Sequence, residues 1–240
     1  ATKAATPSAD GKTASTTTTK PAETTTTVPA PVKSAAPDAS PYVTGFGDLS
    51  AIKLPDGDPG KVSILSTDSE TGMVNSILII VRNNTSEPVG KITVTGTARD
   101  ASGALAGSGS SQGFDPAVVA PGEIALGYVY FKGGYPADAK FDYDVSSDEV
   151  SDYFQPMTIT ELNNTGDAVV GAVSNDTGVD VTGPISANVW CFDADGTTLG
   201  SRQGFTEQSE LAKDAKGSFS ADLYGEPCPI GLAASSGYGN

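Results

Sequence analysis

The chain has 240 residues, 29 acids against 14 bases, no histidine and two cysteines. Without histidine there is no Ser-His-Asp triad, Cys-His dyad or histidine-ligated metal site. A formal net charge of -15 argues against nucleic acid, and against unaided docking on an anionic membrane.

Residues 1–41 contain no aromatic residue and no Leu, Ile or Met. They hold two threonine runs, Thr16 to Thr19 and Thr24 to Thr27, and prolines at Pro7, Pro21, Pro29, Pro31, Pro37 and Pro41. Such a segment cannot bury enough apolar area to offset roughly 1–2 kcal/mol of backbone entropy per residue. A disordered Thr/Pro/Ala-rich stalk is expected here. Its charges are Lys3, Lys12, Lys20 and Lys33 against Asp10, Glu23 and Asp38, so the acidic excess belongs to the rest of the chain. The chain begins at Ala1 rather than Met, from which a removed leader is expected, and with it a possible lipid anchor upstream of Ala1. No stretch reaches the roughly 18 apolar residues of a transmembrane helix.

From residue 42 onward, short β-branched runs alternate with Gly, Asp, Asn and Pro clusters, which predicts an all-β chain. A repeat then emerges. The first copy reads Ile77-Leu-Ile-Ile-Val-Arg-Asn-Asn-Thr85, Val89 to Thr95, Asp100-Ala-Ser-Gly103, Gln112-Gly-Phe114 and Pro121-Gly122. The second reads Val169-Val-Gly-Ala-Val-Ser-Asn-Asp-Thr177, Val181 to Ile185, Asp193-Ala-Asp-Gly196, Gln203-Gly-Phe205 and Lys216-Gly217. The two copies are predicted as tandem β-sandwiches over 42–147 and 148–240, the second with a short C-terminal tail.

The order of Asn83-Asn84-Thr85, Asp100 to Gly103 and Pro121-Gly122-Glu123 resembles the FxLYD-type domains of bacterial secreted proteins and lipoproteins. Phe141-Asp142-Tyr143-Asp144 is a loose match to that family's closing motif and lacks its leucine; the second copy has no such motif. The resemblance implies two tandem immunoglobulin-like sandwiches in an extracytoplasmic setting. It implies no catalytic residue.

Strand alternation assigns the faces. In the first copy Ile92, Val94, Gly96 and Ala98 share one face, and Thr93, Thr95, Thr97 and Arg99 the other. In the second copy Ile185, Ala187, Val189 and Cys191 point inward, and Ser186, Asn188, Trp190 and Phe192 outward. Two large aromatics thus stand where the first copy has Thr97 and Arg99. Either a bulge, a register shift or the other copy covers them, or they form an exposed contact for a partner. Trp190 and Phe192 are the candidate partner contacts. Cys191 and Cys228, the only cysteines, are expected to form a disulfide in an exported chain.

Other motifs read as architecture. Gly109-Ser110-Ser111-Gln112-Gly113 fits G-x-S-x-G, but that serine needs a histidine base, and the second copy has Arg202 at its place. Asp193-Ala194-Asp195-Gly196 opens like a calcium loop, yet its twelfth position is Gly204. The turn Pro55-Asp56-Gly57-Asp58-Pro59 and the sequons at Asn83, Asn84, Asn163 and Asn175 read as turn chemistry. The carboxylate pairs Asp142/Asp144 and Asp148/Glu149 read as solvated surface.

The expectation is a non-enzymatic cell-envelope protein, secreted or anchored to the outer face of the membrane. It binds a protein partner as an accessory module presented on a stalk, and needs no cofactor, metal or nucleic acid. The alternatives are a structural subunit or spacer of a surface assembly and, more remotely, a carbohydrate-active enzyme.

Overall fold

The computed structural model describes residues 42–69 and 75–239; the stalk expected over 1–41 lies outside them. Among the described residues there is no α-helix, and two antiparallel sheets make up the fold. No helix is long and apolar enough to cross a membrane. The first sheet comprises β2 (Val62–Ser69), β3 (Ser76–Asn83), β4 (Val89–Arg99), β5 (Leu105–Asp115), β6 (Val118–Val119), β7 (Ile124–Phe131) and β8 (Lys140–Asp148). The second comprises β1 (Val43–Phe46), β9 (Phe154–Asn164), β10 (Ala168–Ser174), β11 (Val181–Phe192), β12 (Thr198–Thr206), β13 (Glu210–Leu211), β14 (Lys216–Asp222) and β15 (Ile230–Gly239).

The repeat in the sequence is a repeat in the pairing. The first sheet runs β2-β3-β7-β5-β4, with β8 and β6 both on β4. The second runs β9-β10-β14-β12-β11, with β15 and β13 both on β11. Corresponding strands occupy corresponding places. The second sheet also closes, because Ser235 to Tyr238 of β15 pair with Met157 to Phe154 of β9. In the first sheet β8 forms no such ladder with β2.

The Asn-x-Thr turns explain part of this agreement. Asn83 donates from Nδ2 to the carbonyls of Glu87 and Val119, at 2.8 and 2.9 Å, and accepts at Oδ1 from Thr85 N and Oγ1. Asn175 donates to Val179 and Leu211, both at 2.8 Å, and accepts from Thr177 N and Oγ1. Both asparagines are fully buried. Each ties its own turn to the short strand that caps the neighbouring ladder, β6 or β13. A buried amide must have its partners inside the protein, which fixes both turns in one geometry.

Three apolar clusters hold the molecule. One lies within the first sheet around Ile79, Val81, Val94, Val129 and Phe131. A second lies within the second sheet around Met157, Val173, Ile185, Val189 and Phe219. The third lies between the sheets, where Leu78, Ile80, Ile124 and Leu126 meet Trp190, Phe192, Ile230 and Leu232. The uninterrupted run Ile77 to Val81 reflects this arrangement: its odd positions fill one core and its even positions the joint.

β1 lies apart from the strands that follow it. Val43 pairs with Ala234 and Phe46 with Gly231, so residues 43–46 extend the second sheet although they open the 42–147 span expected for the first copy. Gly231 leaves room for the Phe46 ring, which a Cβ at that position would displace. The Pro55 to Pro59 turn is held by backbone carbonyls: Arg82 Nη1 donates to Pro55 O at 2.8 Å and Asn84 Nδ2 to Asp56 O at 2.7 Å.

Candidate functional site

Trp190 and Phe192 are not exposed contacts: they are 3% and 1% accessible and sit in the cluster between the sheets. Alternation places them outward from their own core correctly. The face they occupy is covered by β3 and β7, whose Leu78, Ile80, Ile124 and Leu126 complete the cluster. That coverage corrects the expectation of a partner contact. Cys191, one residue along on the opposite face, forms a disulfide with Cys228, and both are buried in the second core. The bridge ties β11 to the 223–229 segment, which carries Tyr224 and Glu226.

Beyond the apolar cluster the two sheets part into a cleft of about 1060 Å³. Its floor and walls come from the end of β5, the middle of β7, the start of β4, and the outward faces of β11, β12 and β15. Register sets the second sheet's wall: Trp190 lies opposite Ser201, Asn188 opposite Gln203 and Ser186 opposite Phe205, so all six share a face. The first sheet brings Gln112, Phe114 and Asp115. The Gln-Gly-Phe element of each copy therefore reaches the same cleft: Gln112 and Phe114 from one, Gln203 and Phe205 from the other.

Aromatic side chains concentrate here. The cleft takes in Phe114, Tyr128, Phe154, Trp190, Phe205, Tyr224 and Tyr238, from a chain with one Trp, 8 Tyr and 8 Phe. Phe205 and Tyr224 are 49% and 84% accessible. At one end Phe154, Tyr238 and Tyr153 form a ring-to-ring trio with centroids 4.8 to 5.4 Å apart.

Asp115 is the central polar group. Asn188 donates its side-chain amide to the carboxylate, Ser236 adds a second hydrogen bond, and Ser236 Oγ in turn accepts from Ala117 N at 3.2 Å. Burial pushes the Asp115 carboxyl above the usual range, and the bonds from Ser236 and Asn188 only partly oppose it. A second polar tie between the sheets joins Thr198 Oγ1 to Asp68 Oδ2 at 2.8 Å. Two donors in the lining are buried without a protein partner, the indole Nε1 of Trp190 and Nε of Arg202. The charged residues of the lining are Lys91 and Arg202 against Asp115 and Glu226.

The remaining motifs serve local turns and strand pairing, and the Gly109 to Gly113 element also reaches the cleft through Ser111, Gln112 and Gly113. Asp193 Oδ1 accepts from the backbone of Asp195 and Thr197, and Asp100 Oδ1 from Ser102 and Ala104, so both carboxylates close their own hairpins. Among the described residues no three His, Cys, Asp or Glu converge as a metal site. Asp142 pairs with Arg99 and Asp148 with Lys91, each at 3.3 Å on the exposed surface. Ser111 Oγ accepts from Val94 N at 3.0 Å, an architectural bond between β4 and β5. The chain matches no protein-family model and no curated protein.

Proposed function

We propose that the chain is a non-enzymatic, extracytoplasmic binding module of the cell envelope, two immunoglobulin-like halves after a Thr/Pro-rich sequence, and that it binds through the cleft between its sheets. The observation that carries this reading is the convergence of both copies' Gln-Gly-Phe elements on one aromatic-lined cleft. Large, mostly preformed apolar clefts with a few fixed polar groups are where ligands bind. The repeated Greek-key order supports the immunoglobulin-like, FxLYD-like reading of each half. The Cys191–Cys228 disulfide supports an oxidising compartment. The edges of β2 and β8, which do not pair with each other, favour a second reading as a structural subunit that adds strands from a neighbour.

Fractionation of native cells with thiol labelling tests the setting. The proposal expects the chain in the envelope or medium, with both cysteines blocked to labelling. A cytoplasmic chain with two free thiols overturns it. Light scattering on the full chain separates the two readings: a monomer at high concentration supports the binding module, whereas concentration-dependent assembly supports the structural subunit.

A further inference from the structure

We infer that the cleft between the sheets is a saccharide site, shaped for a neutral oligosaccharide; this rests on the binding-module reading above. Its aromatic rings provide flat apolar surfaces of the kind that pack on the C–H faces of sugar rings. Phe205 and Tyr224 stand exposed on the rim, and Phe154 and Tyr238 close one end. Its volume, about 1060 Å³, lies at the top of the roughly 300–1,000 Å³ range of small-molecule sites, room for more than one sugar ring.

The polar groups select the ligand class. The lining holds both signs, Lys91 and Arg202 with Asp115 and Glu226, and Lys91 is in addition paired with Asp148, so no single sign of charge dominates it. With both signs present the lining offers neither an anion nor a cation a field of uniformly opposite charge, and a neutral polar ligand needs none. The Asp115 carboxyl accepts two hydrogen bonds and has lone-pair capacity left for further donors. A sugar hydroxyl both donates and accepts, so it answers that group and the amides of the lining alike. The side-chain amides of Gln112, Asn188 and Gln203 also donate and accept. A proline-rich peptide, whose prolines have no N–H, supplies acceptors but few donors and answers Asp115 poorly.

Trp190 is the only tryptophan, so its fluorescence reports on the cleft directly. The full chain is titrated with neutral gluco-, manno- and galacto-hexasaccharides, and separately with a synthetic peptide of residues 21–41. The expected result is a saturable change in Trp190 emission with at least one hexasaccharide, and an affinity at least about tenfold weaker in Gln203→Ala and Phe205→Ala. Both substitutions lie at exposed positions, and circular dichroism checks that the fold is retained. Unchanged affinity in both variants overturns the assignment. A response to the peptide alone, lost in those variants, overturns the saccharide class and leaves the binding-module reading standing. Silence with every probe overturns the saccharide site, and leaves the binding-module reading to be judged by where native envelope material contacts the chain.

Discussion

Asn188 donates its side-chain amide to the Asp115 carboxylate, a bond between residues 73 apart that fastens β5 of the first sheet to β11 of the second. Ser236, on β15, engages the same carboxylate. One acidic group therefore joins three strands from two sheets at the floor of the cleft.

This arrangement carries a pH signature. Because burial raises the Asp115 pKa in the folded state, the folded protein holds that proton more tightly than the unfolded chain does. The group's contribution to stability is full below the unfolded carboxylate pKa and is lost as pH rises through the folded value. Asp115→Asn keeps an acceptor for Asn188 and Ser236 without the buried charge. Its melting temperature relative to wild type is expected to be more favourable at pH 8 than at pH 4. Equal differences at both pH values would show that Asp115 carries no linked proton.

Trp190 serves the joint rather than a partner's surface. Trp190→Ala removes a large side chain from the cluster with Ile80, Leu126 and Leu232, for which about 3–5 kcal/mol is expected. At about 2–4 °C per kcal/mol for a chain of this size, melting falls by roughly 6–20 °C. A melting temperature within a degree or so of wild type would place Trp190 at a tolerant surface instead.

Asn83 and Asn175 make matched sets of bonds, so their loss is expected to cost the same. Asn83→Ala orphans the carbonyls of Glu87 and Val119, and Asn175→Ala those of Val179 and Leu211. At about 1–3 kcal/mol per buried unsatisfied group, each variant loses roughly 2–4 kcal/mol in urea unfolding, some of it recovered by water at the exposed turn. Because the two asparagines share no bonding partner, the double variant is expected to lose the sum. Markedly unequal losses would contradict the equivalence of the two turns.

The Cys191–Cys228 bridge closes a loop across a sequence separation of 37. Chain entropy alone assigns about 4 kcal/mol to such a loop. Replacing both cysteines with serine is expected to lower stability by that order in urea unfolding, and to loosen the 223–229 segment that carries Tyr224 and Glu226. Unaltered stability would make the bridge incidental to the fold.

The all-β architecture and the recurring order of strands are legible because both rest on local signals. Alternation marks strands such as β4, and Asn-x-Thr and Asp-x-x-Gly turns recur in one order. The pairing of Asn83 with Val119, and of Asn175 with Leu211, gives those turns a shared tertiary role. The joint was not legible. Trp190 and Phe192 were assignable to the outward face, but alternation cannot say whether a second sheet lies on that face. Leu78 and Ile80 carry the complementary signal, an apolar run on both sides of one strand, without naming what covers it. The Gln-Gly-Phe elements stood out as repeat landmarks. Their meeting in one cleft follows from packing between sheets, as does the pairing of β1 with β15, and neither leaves a mark in nearby sequence.

The central claim is that this cleft is where the molecule binds. Hydrogen–deuterium exchange on the full chain, with and without solubilised native envelope material, tests it most directly. Binding in the cleft predicts slower exchange confined to residues 111–117, 184–190 and 201–205. Protection along β2 and β8 with those three segments unchanged would contradict it, and so would no protection anywhere.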